Sequence, residues 1–263
     1  ARTYAAKLDD FPVAIKRLSD RWQSDSPDAA GFRTEAAILR TLNAAEDSEW
    51  SLQPTPQARA ARALKTGLNR VIVALLDDGV DDSGRPYQVQ EWAPAGVEVT
   101  PVIDLQGESR VLSIMQRVAQ GIALAHQHGF ALSDFEPRTK LDRIRVRWPE
   151  SSPTPEVRLI DWNISGGADL FARDLFYFGQ HLYHLLLGQL LELEGDGKPP
   201  HTLGMGMPAW NLLSEASHLL LSRLLQRDES RRYRAADDLA ADLTWLVETF
   251  EMATAPSLLD RLR

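Results

Sequence analysis

The sequence predicts an α+β fold in two parts: a small antiparallel β part with one main helix, then a larger, mainly α part. Three observations lead there. Short apolar segments separated by turn residues fill the chain up to Trp92. Stretches of helical length and helical apolar spacing dominate from Val111 onward. Between them Ala93, Pro94, Ala95 and Gly96 break both patterns, which marks a linker. The expected boundaries are 1–92 for the first lobe, 93–96 for the hinge and 97–263 for the second lobe.

Thr3 to Leu8 and Val13 to Leu18 read as a hairpin, joined through Asp9, Asp10, Phe11 and Pro12. Asp28 is the expected cap of a helix running to about Leu42, with Phe32, Ala36, Ile38 and Leu39 on its apolar face and Glu35 within it. Residues 43–69 are polar and Ala-rich and read as an insertion holding a short helix at about 57–65. Val71 to Leu76 reads as a buried strand, Asp81 to Gly84 as a turn and Tyr87 to Trp92 as the returning strand. Val111 to His126 is an amphipathic helix. Ile144 to Trp148 and Val157 to Ile160 are two strands around a Pro149–Pro155 loop. Asp174 to Leu187 is apolar all round, as a buried helix is. A Gly- and Pro-rich loop follows, then helices at Leu212–Leu225 and Ala235–Phe250. Asp237 and Asp238 suit the positive end of the last helix dipole.

Composition narrows the function. With 263 residues and 44% apolar content there is material for a sizeable core. The absence of cysteine excludes disulfides, zinc–thiolate sites and cysteine nucleophiles. A net charge of −8 argues against nucleic acid and anionic membranes as partners. The apolar runs fall far short of the ~20 residues of a membrane helix. The opening ARTYAAKLDD lacks the apolar core of a signal peptide and an initiator Met. The expectation is a cytoplasmic domain cut from a longer chain.

Chemistry concentrates between His128 and Asn163, where Asp134 and Asp161 each end a short apolar run. An Asp ending a buried strand sets a carboxylate at the mouth of a core, where it can face a metal or a polar ligand. Singly, each also reads as a turn or cap residue.

The order of segments resembles the bilobal protein kinase fold, in particular bacterial Ser/Thr kinase-like domains. Val13-Ala14-Ile15-Lys16 is similar to the VAIK strand, and Glu35 sits in the next helix, where the family keeps the lysine's partner. Tyr87-Gln88-Val89-Gln90-Glu91-Trp92 resembles the last strand of the small lobe and the hinge, with Gln90 guarding the adenine pocket. His128 to Asp134 resembles the start of the catalytic loop, and Asp161-Trp162-Asn163 stands where the family has Asp-Phe-Gly. Asp174 to Gly179 and Leu225 to Leu239 resemble later helices, with Arg232 as the structural arginine. Leu39, Leu132 and Trp162 fall where the family stacks its regulatory spine. The resemblance implies ATP and Mg²⁺ as cofactors. Lys16, Glu35, Gln90, Glu91 and Trp92 would hold the nucleotide, Asp161, Asp142 and Asn163 the metal, and Asp134 would be the catalytic residue if the chain is active.

The departures gather at the same place. No glycine-rich loop precedes Lys16, and Ser133 replaces the catalytic-loop Arg. Glu136 replaces the Lys that meets the γ-phosphate, a like-charge repulsion of about 1 to 4 kcal/mol at ~4 Å. Thr139 stands in the register of the metal-binding Asn, with Asp142, just ahead of the strand, as the substitute ligand. Asn163 replaces Gly, and Asn tolerates unusual backbone angles. The short run from Asp161 to Asp174 leaves no room for a full activation loop or a peptide-docking ledge, and deprives Arg232 of its usual Glu partner. The expectation is a pseudokinase: a regulatory or protein-binding module whose partner is another protein or another domain of its parent chain. Two alternatives stand beside it: a divergent kinase passing the ATP γ-phosphate to Ser/Thr of a dedicated protein or to a small molecule, and a non-catalytic ATP sensor. Outside this stretch the functional signals are weak. His181 and His184 read as core residues, His128 as a helix end, Trp210 as core or partner anchor, and Asp77-Asp78 with Asp81-Asp82 as solvated turns.

Overall fold

β1 (Arg2–Leu8) and β2 (Phe11–Arg17) form the expected hairpin, turning at Asp9, whose φ of 54° is in the left-handed region that Asp tolerates. The computed structural model describes residues 2–18, 27–93, 105–132, 135, 143–147, 155–162, 164–165 and 167–254. After β2 come α1 (Pro27–Glu46), α2 (Pro56–Thr66), β3 (Leu75–Val80) and β4 (Pro86–Glu91). The four strands make one antiparallel sheet in the order β1-β2-β4-β3. Opposed residues share a face of an antiparallel sheet, and neighbours along a strand alternate. The register therefore puts Ala14, Lys16, Gln88 and Gln90 on one face and Val13, Ile15 and Val89 on the other.

Each face has its own helix. On the first, the Gln88 side-chain amide donates to the Phe32 carbonyl of α1 at 2.7 Å. On the second, Val13, Ala74 and Leu76 pack with Ala60 and Ala63 of α2 and with Trp50. Pro56 opens α2, and the Thr55 hydroxyl caps it by accepting from the Ala58 amide at 3.1 Å. The segment read as an insertion thus supplies a helix to the sheet.

The end of α1 and the start of β3 differ from expectation, and for one reason. α1 runs four residues past Leu42, with Asp28 inside its first turn rather than capping it, and β3 starts at Leu75 rather than Val71. Val71 to Ala74 is buried as expected, but its backbone is paired outside the sheet. The Glu46 carboxylate accepts from the Val71 and Ile72 amides. Asn43 donates to the Val73 carbonyl at 3.0 Å and accepts from the Leu75 amide at 2.8 Å. Val73 and Val71 exchange bonds with Leu159, at 3.2 and 2.7 Å. Asn43 and Glu46 both lie on the extra turn of α1. Because the strand is shifted downstream, Asp77 and Asp78 lie in it rather than in a turn: Asp77 accepts from the Tyr87 hydroxyl at 3.0 Å, and Asp78 pairs with Arg40.

The chain divides into two compact units, the first made of Ala1–Val97, Leu124–Phe135 and Leu141–Phe171 and the second of the rest. In the first, β6 (Ile144–Arg147) pairs with β7 (Glu156–Leu159), and β5 (Phe130–Ala131) pairs with β8 (Ile164–Ser165). Arg158 on β7 is buried. It donates to the Glu91 carboxylate at 2.5 Å and to the Arg70 carbonyl at 2.8 Å. Arg70 lies over the Trp50 ring at 4.3 Å and 3.6 Å from Glu46.

The remaining helices are α3 (Leu105–Gln127), α4 (Ala168–Leu187), α5 (Glu215–Leu224) and α6 (Ala236–Thr254). α4 begins six residues ahead of Asp174, which is fully buried. In the second unit a side chain at Gly179 would stand 2.8 Å from Leu224, so α4 and α5 touch closely. The buried Glu108 accepts from the amide and hydroxyl of Ser214, and that hydroxyl caps α5.

Removing one member of a buried ion pair leaves the other uncompensated, at about 3 to 5 kcal/mol. Arg158→Ala is expected to lower the unfolding free energy by about that much, and Asn43→Ala by about 2 kcal/mol or more through two orphaned backbone groups. Urea denaturation of both variants checks this.

Candidate functional site

Lys16 is the sixth residue of β2 and faces α1. Its ammonium donates to the Glu35 carboxylate at 2.9 Å and, in a shorter contact, to Asp161. The expected lysine partner is thus in place, and a carboxylate 145 residues away joins it. Burial lowers the Lys16 pKa, but Glu35 and then Asp161 outweigh it and hold the ammonium above its ordinary value.

Asp161 ends the chain segment leaving β7. Its φ is 62°, left-handed for a residue with a side chain, which costs of order 1 to 3 kcal/mol unless the surroundings impose it. Arg143, the residue before β6, supplies much of that constraint. Its guanidinium donates to the Asp161 carbonyl at 2.9 Å and lies 3.3 Å from the second carboxylate oxygen, while its own carbonyl accepts from the Ile160 amide at 3.1 Å. Next to it Trp162 is fully buried and donates its indole N–H to the Leu159 carbonyl at 3.2 Å. Asp161 therefore has one carboxylate oxygen on Lys16 and the other beside Arg143. Two cations and two carboxylates balance within the first unit.

A divalent ion fits this donor set poorly. Both oxygens of Asp161 already face cations. Two like unit charges at about 4 Å repel by roughly 1 to 4 kcal/mol between bulk water and a protein surface, and a divalent ion doubles that. Among the described residues no group of three or more His, Asp or Glu side chains is placed to hold a metal ion. An ammonium and a guanidinium converge on the one carboxylate.

The other expected cofactor residues divide between the faces of the sheet. Gln90 is buried on the Lys16 face, its amide donating to Gln88 at 2.7 Å. Glu91 points to the other face. Its carboxylate is taken by Arg158 and by the Ala74 amide, at 3.1 Å for the latter. Trp92 is half exposed beside it, and both line a cleft of about 310 Å³ with Phe11, Leu64 and Arg147. Asp134, Asp142 and Asn163 lie outside the described residues, as do Ser133, Glu136, Thr139 and Pro94 to Gly96 of the expected hinge. Leu39, Leu132 and Trp162 are all buried.

In the second unit, Arg232 lies over the Phe176 ring at 4.3 Å and donates to the Gln226 carbonyl at 2.6 Å, so it ties α4 to the segment after α5. Trp210 seals against Gly204 and stacks with His218 at 4.6 Å. His184 is buried, as a core residue should be. The residue that the motifs did not single out is Arg143. It stands at the entry to β6, the strand that pairs with β7, and nothing in its sequence position marks it.

Neither a protein-family model nor a curated protein sequence matches the chain. By backbone it is similar to the crystal structure of the Mycobacterium tuberculosis PknI kinase domain, with TM-score 0.54 and 18% identity over 92% of this chain and 89% of that one. A cysteine-to-alanine mutant of that domain superposes with TM-score 0.51 at the same identity and coverage. The chain has a protein kinase-like fold. The structure brings Lys16, Glu35 and Asp161 together, with Arg143 beside them.

A raised lysine pKa stabilises the folded state fully below the unfolded value of about 10.4, and this contribution is lost as pH rises through the folded value. The stability deficit of Lys16→Met is therefore expected to stay level from about pH 7 to pH 9 and to shrink above about pH 10.5. Melting temperatures of both proteins across that range check it.

Proposed function

We propose that this chain is a pseudokinase module, a kinase-like domain that acts by binding rather than by phosphoryl transfer. The observation that carries the reading is the state of Asp161: the carboxylate a kinase reserves for metal is shared by Lys16 and Arg143. Metal-assisted transfer needs that carboxylate to hold the ion that neutralises the charge on the moving phosphoryl group. Glu136 in place of the catalytic-loop Lys and the short run to Asp174 point the same way. On this reading the module works in the cytoplasm on a protein partner or on other domains of its parent chain, without nucleic acid or membrane. Among the described residues no helix is long and apolar enough to cross a membrane.

A second reading has its own observation. The Lys16–Glu35 ion pair at 2.9 Å is kept, which supports a site able to receive a phosphate. This favours a module that binds nucleotide without turning it over. Ligand at 100 times its Kd adds about 2.7 kcal/mol to stability, enough to switch the order of a marginal domain. A divergent kinase would need Asp161 freed from both cations.

The test is a phosphotransfer assay with ATP and Mg²⁺ or Mn²⁺, following label into the protein itself and into a generic substrate. Incorporation is expected to equal that of Asp161→Asn. Turnover that Asp161→Asn abolishes would make the chain an enzyme and overturn the reading.

A further inference from the structure

Arg143 lies 3.3 Å from the Asp161 carboxylate that also receives Lys16, and from that juxtaposition we propose that Arg143 is the cation that meets a nucleotide's polyphosphate here, so that nucleotide binds without a divalent ion. The inference rests on the nucleotide-binding reading above and adds its metal dependence.

The chemistry follows from charge and shape. A divalent ion in a kinase-like site offsets phosphate charge from a point held by carboxylates. In this chain a positive group is already tied to that point through the backbone. Arg143 is anchored there twice by main-chain bonds, its own carbonyl to the Ile160 amide and its guanidinium to the Asp161 carbonyl. Its contact with the carboxylate is the looser one, at 3.3 Å. The guanidinium is planar with five donors, keeps its charge at every physiological pH, and matches phosphate oxygens in pairs. Arg143 and Asp161 are both partly exposed, with 19% and 37% of their side-chain surfaces open. The guanidinium can therefore turn its remaining donors to phosphate oxygens while it keeps its bond to the Asp161 carbonyl. Lys16 provides the second cation, held in place by Glu35 and Asp161.

Isothermal titration of ATP into the native chain, Arg143→Ala, Arg143→Lys and Lys16→Ala, each in EDTA and in excess Mg²⁺, tests the proposal. The native chain is expected to bind ATP in EDTA with a Kd within about threefold of that in Mg²⁺, under the tenfold that corresponds to about 1.4 kcal/mol. Arg143→Ala is expected to weaken binding in EDTA by about tenfold, and Arg143→Lys, which keeps the charge but not the fork, by less. Native binding that appears only with Mg²⁺ would overturn the proposal while leaving the nucleotide reading intact. So would native-like affinity of Arg143→Ala in EDTA alongside loss in Lys16→Ala. Absence of native binding in both conditions would remove the proposal and the nucleotide reading together. The native comparison needs no variant, so it decides even if the substitutions impair folding.

Discussion

A buried backbone must find hydrogen-bond partners, and the first unit is arranged around one stretch that finds them in side chains. Val71 to Leu75 is sealed from water yet mostly outside the sheet. Asn43 and Glu46 from the last turn of α1 reach it, as do Glu91 from β4 and the Leu159 backbone from β7. These bonds fix α1 against the sheet at its C-terminal end. Glu35 and Leu39 lie eight and four residues before Asn43, on the same stripe of the helix, so the anchoring at Asn43 also sets where Glu35 stands. Lys16 projects from β2 to meet it.

The same constraint brings in the later strands. Leu159 pairs with Val71 and Val73, and the buried Arg158 clasps Glu91 and the Arg70 carbonyl. Two residues on, the chain delivers Asp161 to Lys16. The functional cluster is therefore a consequence of how a short buried segment is satisfied. Its charges are balanced internally, with Arg143 as the fourth member. A side chain from the entry to β6 lies beside the Asp161 carboxylate, and the left-handed backbone at Asp161 is held by that same residue.

Much of this was legible in the order of residues. The hairpins and the helix carrying Glu35 follow from apolar spacing and turn residues, and the pairing of Lys16 with Glu35 is what the resemblance of their motifs implies. What was not legible depended on parity and on side-chain length. Glu91 and Gln90 are neighbours in a strand, so only one could face Lys16; their alternation decided it, and Glu91 went to Arg158. Val71 to Leu76 has strand composition, but composition does not say whether its amides meet a neighbouring strand or the side chains of Asn43 and Glu46. Arg143 is one of three arginines at alternate positions, with Arg145 and Arg147, and nothing in their spacing marks the first as the one that turns inward.

A double-mutant cycle between Arg143 and Asp161 tests most directly whether Asp161 is neutralised from within the chain. Unfolding free energies of Arg143→Ala, Asp161→Asn and the double variant would be compared with the native protein. Partners in contact show coupling of about 0.5 to 3 kcal/mol, and a value in that range is expected here. Effects that add within about 0.3 kcal/mol would mean that the guanidinium and the carboxylate act independently, and that Asp161 is open to an external ion.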